Sequence, residues 1–251
     1  MITYPNVKLN LGLNVLRKRP DGYHDLETLF LPCNAFSDIL RIDAVAGEAT
    51  MEIEGGGWDP HTDLCWRAYK LLRNAFGIPP VRIRLTKRSP VGAGLGGGSA
   101  DAAYALSMMN TMFSLGLSPE VLAGYASELG SDCAFFIYNR PMMGEGRGEI
   151  LTPFDIDLSS FEIRVEIPEG VSVSTREAYG GILPQIPELP LRDALRLPVE
   201  QWKDTVRNDF ETTVFRSHPE IAELKQSFYD EGAVYAAMSG SGSSVFGIFR
   251  K

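Results

Sequence analysis

Between Val7 and Val15 the chain alternates without a break. Val7, Leu9, Leu11, Leu13 and Val15 are apolar, and Lys8, Asn10, Gly12 and Asn14 stand between them. A period of two over such a run predicts a β-strand with one apolar and one polar face. Lys8 and Asn10 share the polar face, about 7 Å apart. RPDGYHD at 19–25 carries turn chemistry, and LETLFLP predicts the returning strand. DILRIDA and TMEIEG predict two more strands, and VRIRLTK at 81–87 another, with Val81, Ile83 and Leu85 inward and Arg82 and Arg84 outward. Residues 62–76 carry Leu64, Ala68, Leu71, Leu72 and Ala75 at helical spacing, stopped by Gly77, Ile78 and Pro79. A second helix is expected from Ser99 to about Phe113. A third should start at Ser118, an N-cap followed by Pro119, and end at Gly130. Asp132 then precedes the apolar run AFFIY.

The composition shifts at RPMMGEGRGE, which suggests a domain boundary near 150, dividing the chain into 1–150 and 151–251. The second part reads as a strand (FEIRVEI), a helix (STREAYGG), a proline-rich loop at 184–198 and a short helix near 199–205. NDFETTVF follows, then a helix from Pro219 to Asp230, and the strands AVYAAMS and SSVFGIF joined by a glycine-serine turn. Antiparallel strands with segregated helices predict an α+β fold.

Composition narrows the function classes. The chain has 251 residues, 44% hydrophobic and 22% charged, which excludes wholesale disorder, a coiled coil and a collagen-like fibre. The net charge is −8, against the basic excess usual in a nucleic-acid binder, yet an acidic protein can still build a local site for an anion. Cys33, Cys65 and Cys133 are odd in number, widely spaced and without a CxxC, which predicts buried reduced thiols. His24, His61 and His218 are too scattered for a metal pair, so no metal ligands are assigned. The start MITYPNVKLN has no signal-like apolar region, and no apolar run approaches the ~18 residues of a membrane span. A cytoplasmic protein without membrane or nucleic-acid partners is expected.

The candidate chemistry lies in two glycine clusters, PVGAGLGGGSADAA at 90–103 and MSGSGSSVFGIF at 238–249. Gly92, Gly94 and Gly97 spell GxGxxG, but the acid that a dinucleotide fold places about 20 residues on is missing, since Glu120 falls at a helix start. A P-loop needs a lysine where Gly98 stands, and HRD and DFG are absent. Five glycines within 92–98 still let the backbone approach an anion closely, and the run opens into a helix N-terminus. Ser99 can cap that helix or bind a metal-phosphate group, and Lys87 and Arg88 precede the loop. The bland alternative is a flexible turn, and for the second cluster a hairpin turn.

Together PNVKLNLGLNV, PVGAGLGGGSADAA and MSGSGSSVFGIF resemble, in order and spacing, the three motifs of the GHMP kinases. GLGGGSADAA, RPDGYHDLETLF and LGSDCAFFI are similar to the branch that acts on a cytidyl polyol in the non-mevalonate route to isoprenoid precursors. The resemblance implies a two-domain α+β fold, with an N-terminal domain like ribosomal S5 domain 2, a ferredoxin-like C-terminal domain, and the active site in the cleft between them. It implies transfer of the γ-phosphoryl of ATP, with Mg2+, to the 2-hydroxyl of the methylerythritol moiety. It assigns Asp132 to the substrate hydroxyl proton and Lys8 beside it. Nucleotide contacts fall on Lys87, Pro90, Gly92, Gly94, Leu95, Gly96, Gly97, Gly98 and Ser99, with Asp63 and Asp101 where relatives commonly carry asparagine near the adenine. Asn10 would reach the polyol, and Tyr23, His24, Thr175 and Tyr179 the cytidine end. Two alternatives stay open: another GHMP kinase, for mevalonate, homoserine or a sugar, and a nucleic-acid-binding module.

Overall fold

The alternating segment forms a strand longer than its apolar rhythm, and its polar side is as buried as its apolar side. Lys8, Asn10 and Asn14 are only 3–5% exposed. Around it the computed structural model, which describes residues 1–251, separates into two units that interleave along the chain. Unit 1 takes residues 1–7, 32–91 and 96–140, and unit 2 takes 8–31, 92–95 and 141–251.

In unit 1, β1 (Ile2–Thr3) leads to the long strand β2 (Asn6–Lys18), whose residues from Lys8 onward belong to unit 2. β3 (His24–Ser37) returns and enters unit 1 at Pro32. β4 (Ile39–Ala44), β5 (Thr50–Glu54) and β6 (Val81–Thr86) complete a sheet of order β1-β4-β6-β5, in which β5 runs parallel to β6. The helices α1 (Leu64–Phe76), α2 (Gly97–Met112), α3 (Pro119–Leu129) and α4 (Cys133–Tyr138) belong to the same unit. The buried stripe of α1 is Cys65, Ala68, Tyr69 and Leu72, so the face is turned slightly from the expected one and Ala75 is exposed. α2 is alanine-rich and buried on most of its circumference, which lets α1 and α4 pack close against it. Ser118 caps α3 through the Val121 N–H, with Pro119 at the first position as its sequence predicts. All three cysteines are free and buried, also as expected.

In unit 2, β2 and β3 pair with β7 (Met142–Gly146) and β8 (Ile150–Pro153) in the order β2-β3-β7-β8. The register Leu26↔Gly146 through Phe30↔Met142 leaves no room for a side chain at Gly144, where a Cβ would lie 2.4 Å from the Phe30 ring. β9 (Phe161–Glu166), β10 (Tyr235–Met238) and β11 (Val245–Arg250) form an antiparallel sheet with β11 in the centre. The helices are α5 (Thr175–Tyr179), α6 (Leu191–Ala194), α7 (Trp202–Thr205), α8 (Glu211–Ser217) and α9 (Pro219–Asp230). α6 lies inside the stretch expected to be loop; Pro190 precedes it and sets the entry, and Leu191 and Ala194 are buried. Val15, Phe210, Val214, Ile221, Phe228, Met238 and Val245 share one apolar cluster. The α+β reading holds in both units.

Candidate active site

The first glycine cluster serves two purposes. Gly94 has φ +76°, and a Cβ there would lie 2.2 Å from the Ser239 carbonyl oxygen. The two glycine clusters therefore meet backbone to backbone, and Ser244 Oγ donates to the Ala93 carbonyl at 2.7 Å. Leu95 is buried, so only its backbone is available, and its carbonyl accepts from the Lys8 N–H at 2.9 Å. Gly96, with φ +72°, is the N-cap of α2 and makes no side-chain cap. The expected cap, Ser99, sits inside the first turn instead, and its hydroxyl offers a hydrogen bond to the Cys133 thiol, whose pKa burial pushes up to about 11. The start of this long helix is thus left without a capping side chain, with its N–H groups and positive dipole end available to an anion. Gly98 is exposed and has nothing within 4 Å of an added Cβ, whereas at Gly97 a Cβ would lie 2.4 Å from Ser89 Oγ. Gly92 is exposed and Pro90 half-buried in the same stretch.

On β2, Lys8 Nζ donates to Asn10 Oδ1 and, at 2.8 Å, to the Gly94 carbonyl. Phe30 presents its ring face 5.7 Å from the ammonium. Asn10 Nδ2 donates to Thr28 Oγ1 at 3.0 Å, and Thr28 Oγ1 donates on to the Gly12 carbonyl. The Asn10 amide, expected at the polyol, therefore orients Lys8 with one end and grips β3 with the other. A Cβ on Gly240 would lie 3.0 Å from Asn10 Oδ1 and 3.5 Å from Lys8 Nζ, which brings the second glycine cluster onto this pair.

Asp132, in unit 1, stands at the N-cap position of α4 but makes no cap hydrogen bond. It is half-buried, and Ser131 Oγ donates to its Oδ1 at 3.4 Å. The Gly130 stop leaves the Cys133 N–H to the Gly130 carbonyl, so the aspartate side chain is not drawn into the helix end.

Three nucleotide-side expectations acquire internal partners in unit 1. The Lys87 side chain is 4% exposed; its ammonium donates to Asp38 Oδ2, to Ser89 Oγ at 3.1 Å and to Asp101 Oδ2 at 2.8 Å. Asp38 also takes the N–H groups of Arg88 and Ser89, at 2.6 and 2.7 Å. The Lys87 ammonium is thus engaged by two carboxylates and a hydroxyl rather than standing free. Asp63 caps α1 by accepting from the Cys65 N–H at 2.7 Å and takes the Trp58 indole N–H at 3.0 Å. Asp101 Oδ1 is buried without a partner. Burial, with the Asp38 and Asp63 charges added and Lys87 opposing, pushes the Asp101 carboxyl from 3.8 up to about 7.

A stability test follows from that shift. Between about pH 4 and pH 7 folded Asp101 holds a proton that the unfolded chain has released, so its contribution to stability falls as pH rises through this window. Asp101→Asn removes the titration. The variant should gain on the parent between pH 5 and pH 8, by on the order of 1 kcal/mol or more. Denaturant midpoints at the two pH values measure this, and a difference that stays flat or shrinks contradicts it.

Within unit 2, His24 and Tyr179 are stacked, with centroids 4.8 Å apart and planes at 20°. Tyr179 meets Phe210 edge-on at 4.7 Å. Burial, then Lys18, holds the His24 pKa below 6.5, so the imidazole is neutral at physiological pH. Tyr23 is 55% exposed and carries the Arg147 guanidinium 4.9 Å over its ring. Thr175 is exposed at the start of α5, which Ser174 caps through the Glu177 N–H. No three His, Cys, Asp or Glu side chains converge on a point where they could hold a metal ion.

Asp38, Thr28, Asn208 and Glu211 are structural partners of the site that the motifs did not single out. Thr28 lies within RPDGYHDLETLF and Asp38 opens DILRIDA, while Asn208 and Glu211 fall in NDFETTVF, to which no role was attached.

Comparison with known proteins places the chain among relatives of known name. The family models "GHMP kinases N terminal domain" and "GHMP kinases C terminal" match residues 63–140 and 192–251. A Bacteroides fragilis protein named 4-diphosphocytidyl-2-C-methyl-D-erythritol kinase is 49% identical over 257 residues, spanning 99% of this chain and 92% of its own. A crystal structure of 4-(cytidine 5'-diphospho)-2C-methyl-D-erythritol kinase superposes with a TM-score of 0.84 at 34% identity, over 99% of this chain and 90% of that one. A homoserine kinase from Cytophaga hutchinsonii shares the fold alone, with a TM-score of 0.70 at 17% identity, over 98% of this chain and 85% of its own.

Proposed function

The chain belongs to the GHMP kinases, within them to the 4-diphosphocytidyl-2-C-methyl-D-erythritol kinases, and we propose that it carries out that reaction through Asp132 and Lys8. It uses ATP to phosphorylate 4-diphosphocytidyl-2-C-methyl-D-erythritol, a step in isoprenoid precursor biosynthesis. The observation that carries the Lys8 assignment is the meeting of the two glycine clusters on the Lys8–Asn10 pair, and Asp132 is assigned by its match to the family motif.

Phosphoryl transfer needs positioning and charge stabilisation more than covalent help. Asp132 is assigned to orient the 2-hydroxyl and accept its proton as the oxygen attacks the γ-phosphorus. Lys8, held by Asn10 and the Gly94 carbonyl, is assigned to stabilise the charge developing on the transferred group. The start of α2 and the backbone of 92–98 are assigned to the nucleotide phosphates. Mg2+ bound with the nucleotide would neutralise phosphate charge, and the Ser99 hydroxyl, in the first turn of α2, is the side chain there that could help to hold it. Tyr23, His24, Thr175 and Tyr179 are assigned to the cytidine end, where the aromatic pair offers a π-surface to a base. The division at residue 150, into an ATP-binding and catalytic N-terminal domain and a C-terminal domain, belongs to the same proposal, as does a cytoplasmic location. No helix is long and apolar enough to cross a membrane.

Incubation with ATP and the cytidyl acceptor tests the assignment. Phosphorus NMR should show a new phosphomonoester on the 2-hydroxyl and one ADP for each. ADP formed only with mevalonate, homoserine or a sugar would overturn it.

Gly98 gives a direct test of the phosphate loop. Its Cβ position is open, so Gly98→Val should disturb no protein contact while filling the approach to α2. The affinity for a non-hydrolysable ATP analogue should fall at least about tenfold, or ~1.4 kcal/mol, with the thermal midpoint nearly unchanged. Calorimetry that finds unchanged affinity would reduce the loop to a turn.

A further inference from the structure

The segment at 207–211 is bound on one side to β2 and on the other to the second glycine cluster. Leu13 N–H donates to the Arg207 carbonyl at 2.9 Å, and Asp209 N–H donates back to the Leu13 carbonyl at 2.8 Å. Asp209 Oδ2 also accepts from the Val15 N–H at 2.7 Å. This fixes the segment in register with the strand that carries Lys8 and Asn10.

Asn208 reaches the other way. It is 2% exposed, and its Nδ2 donates to the Met238 and Gly240 carbonyls, each at 2.8 Å. Its Oδ1 accepts from the Phe210 N–H at 3.0 Å, so every partner agrees on the orientation of the amide. Glu211 adds a third tie: Oε1 accepts from the Met238 N–H at 2.8 Å, and Oε2 from Lys225 Nζ at 2.6 Å. The clamped loop in turn carries Ser239, whose Oγ accepts from the Asn10 N–H at 3.1 Å and donates to the Gly94 carbonyl at 3.2 Å. Gly240 lies against Asn10 Oδ1 and Lys8 Nζ.

We propose that Asn208 is a positioning residue for phosphoryl transfer: its amide holds the Gly240 loop in register with β2 and so fixes the polar surroundings of the Lys8 ammonium. The proposal rests on the assignment of Lys8 to the reaction. The chemistry of the position is strict. An amide supplies two donors and one acceptor in one plane, which the two loop carbonyls and the Phe210 N–H require together. A carboxylate of the same shape replaces the two N–H donors of Nδ2 with one acceptor oxygen that faces both carbonyls.

Asn208→Asp is the isosteric test. At saturating ATP and acceptor, kcat should fall at least about tenfold, while the Kd of a non-hydrolysable ATP analogue changes less than about threefold. Asn208→Ser keeps one donor and should lose less, and it carries the test if the aspartate variant does not fold. Phe228→Leu, in the apolar cluster of the same unit, serves as a stability control and should keep its turnover despite a lower thermal midpoint. Parent-like kcat in folded Asn208→Asp or in Asn208→Ser would overturn the proposal. So would a Phe228→Leu variant that loses as much turnover at the same midpoint, because the effect would then be general destabilisation. Lys8→Met is measured alongside. If it stays active, the assignment of Lys8 fails; if it is inactive while Asn208→Asp is fully active, only the clamp fails.

Discussion

Asp132→Asn should fold, bind ATP as the parent does, and lose at least about a hundredfold in kcat, or ~2.7 kcal/mol of transition-state stabilisation. The substitution keeps the shape of the side chain and removes its ability to accept a proton. The thermal midpoint should therefore move little, and the loss should appear in kcat rather than in nucleotide affinity. The measurement is steady-state ADP release at saturating substrates, with calorimetry for the nucleotide. A kcat within about threefold of the parent would remove Asp132 from the chemistry.

Tyr179→Ala should cost about 1–3 kcal/mol in acceptor binding, roughly fivefold to more than a hundredfold in Kd. Its ring stacks on His24 and meets Phe210 edge-on, so its removal also takes away the surface that holds the imidazole in place. Binding energy gained at the cytidine, remote from the reacting hydroxyl, serves to position that hydroxyl. kcat/KM for the acceptor should fall, while ATP affinity stays nearly constant. Tyr179 also packs against the apolar cluster that includes Phe210, so the thermal midpoint is recorded with the kinetics. A variant that loses stability but keeps its acceptor affinity would assign Tyr179 to packing alone.

Local pattern made much of the fold legible. Alternation located β2, and Ser118 with Pro119 located the start of α3. Alternation alone, however, does not tell a solvated polar face from a buried one, so the burial of Lys8, Asn10 and Asn14 came only with the fold. The glycine density pointed to an anion, but at Gly94 and Gly97 glycine is also required by close approach to Ser239 and Ser89. Ser99 looked like a cap because serine prefers that position, whereas the chain turns at Gly96 in a conformation that serine would adopt at a cost. Asp38 as a partner of Lys87 was invisible, since it lies 49 residues away and its surrounding sequence reads only as a strand entry. α6 was hidden among prolines, because its single turn is set by tertiary burial of Leu191 and Ala194 rather than by a repeating pattern.

The most direct measurement of the central claim is kcat/KM for the cytidyl acceptor set against methylerythritol 4-phosphate, which offers the same 2-hydroxyl without the base. If the His24–Tyr179 end binds cytosine and Asp132 receives the hydroxyl proton, the parent should prefer the intact acceptor by at least about a hundredfold. Equal efficiency on the two acceptors would contradict the account and favour a kinase that reads only the polyol.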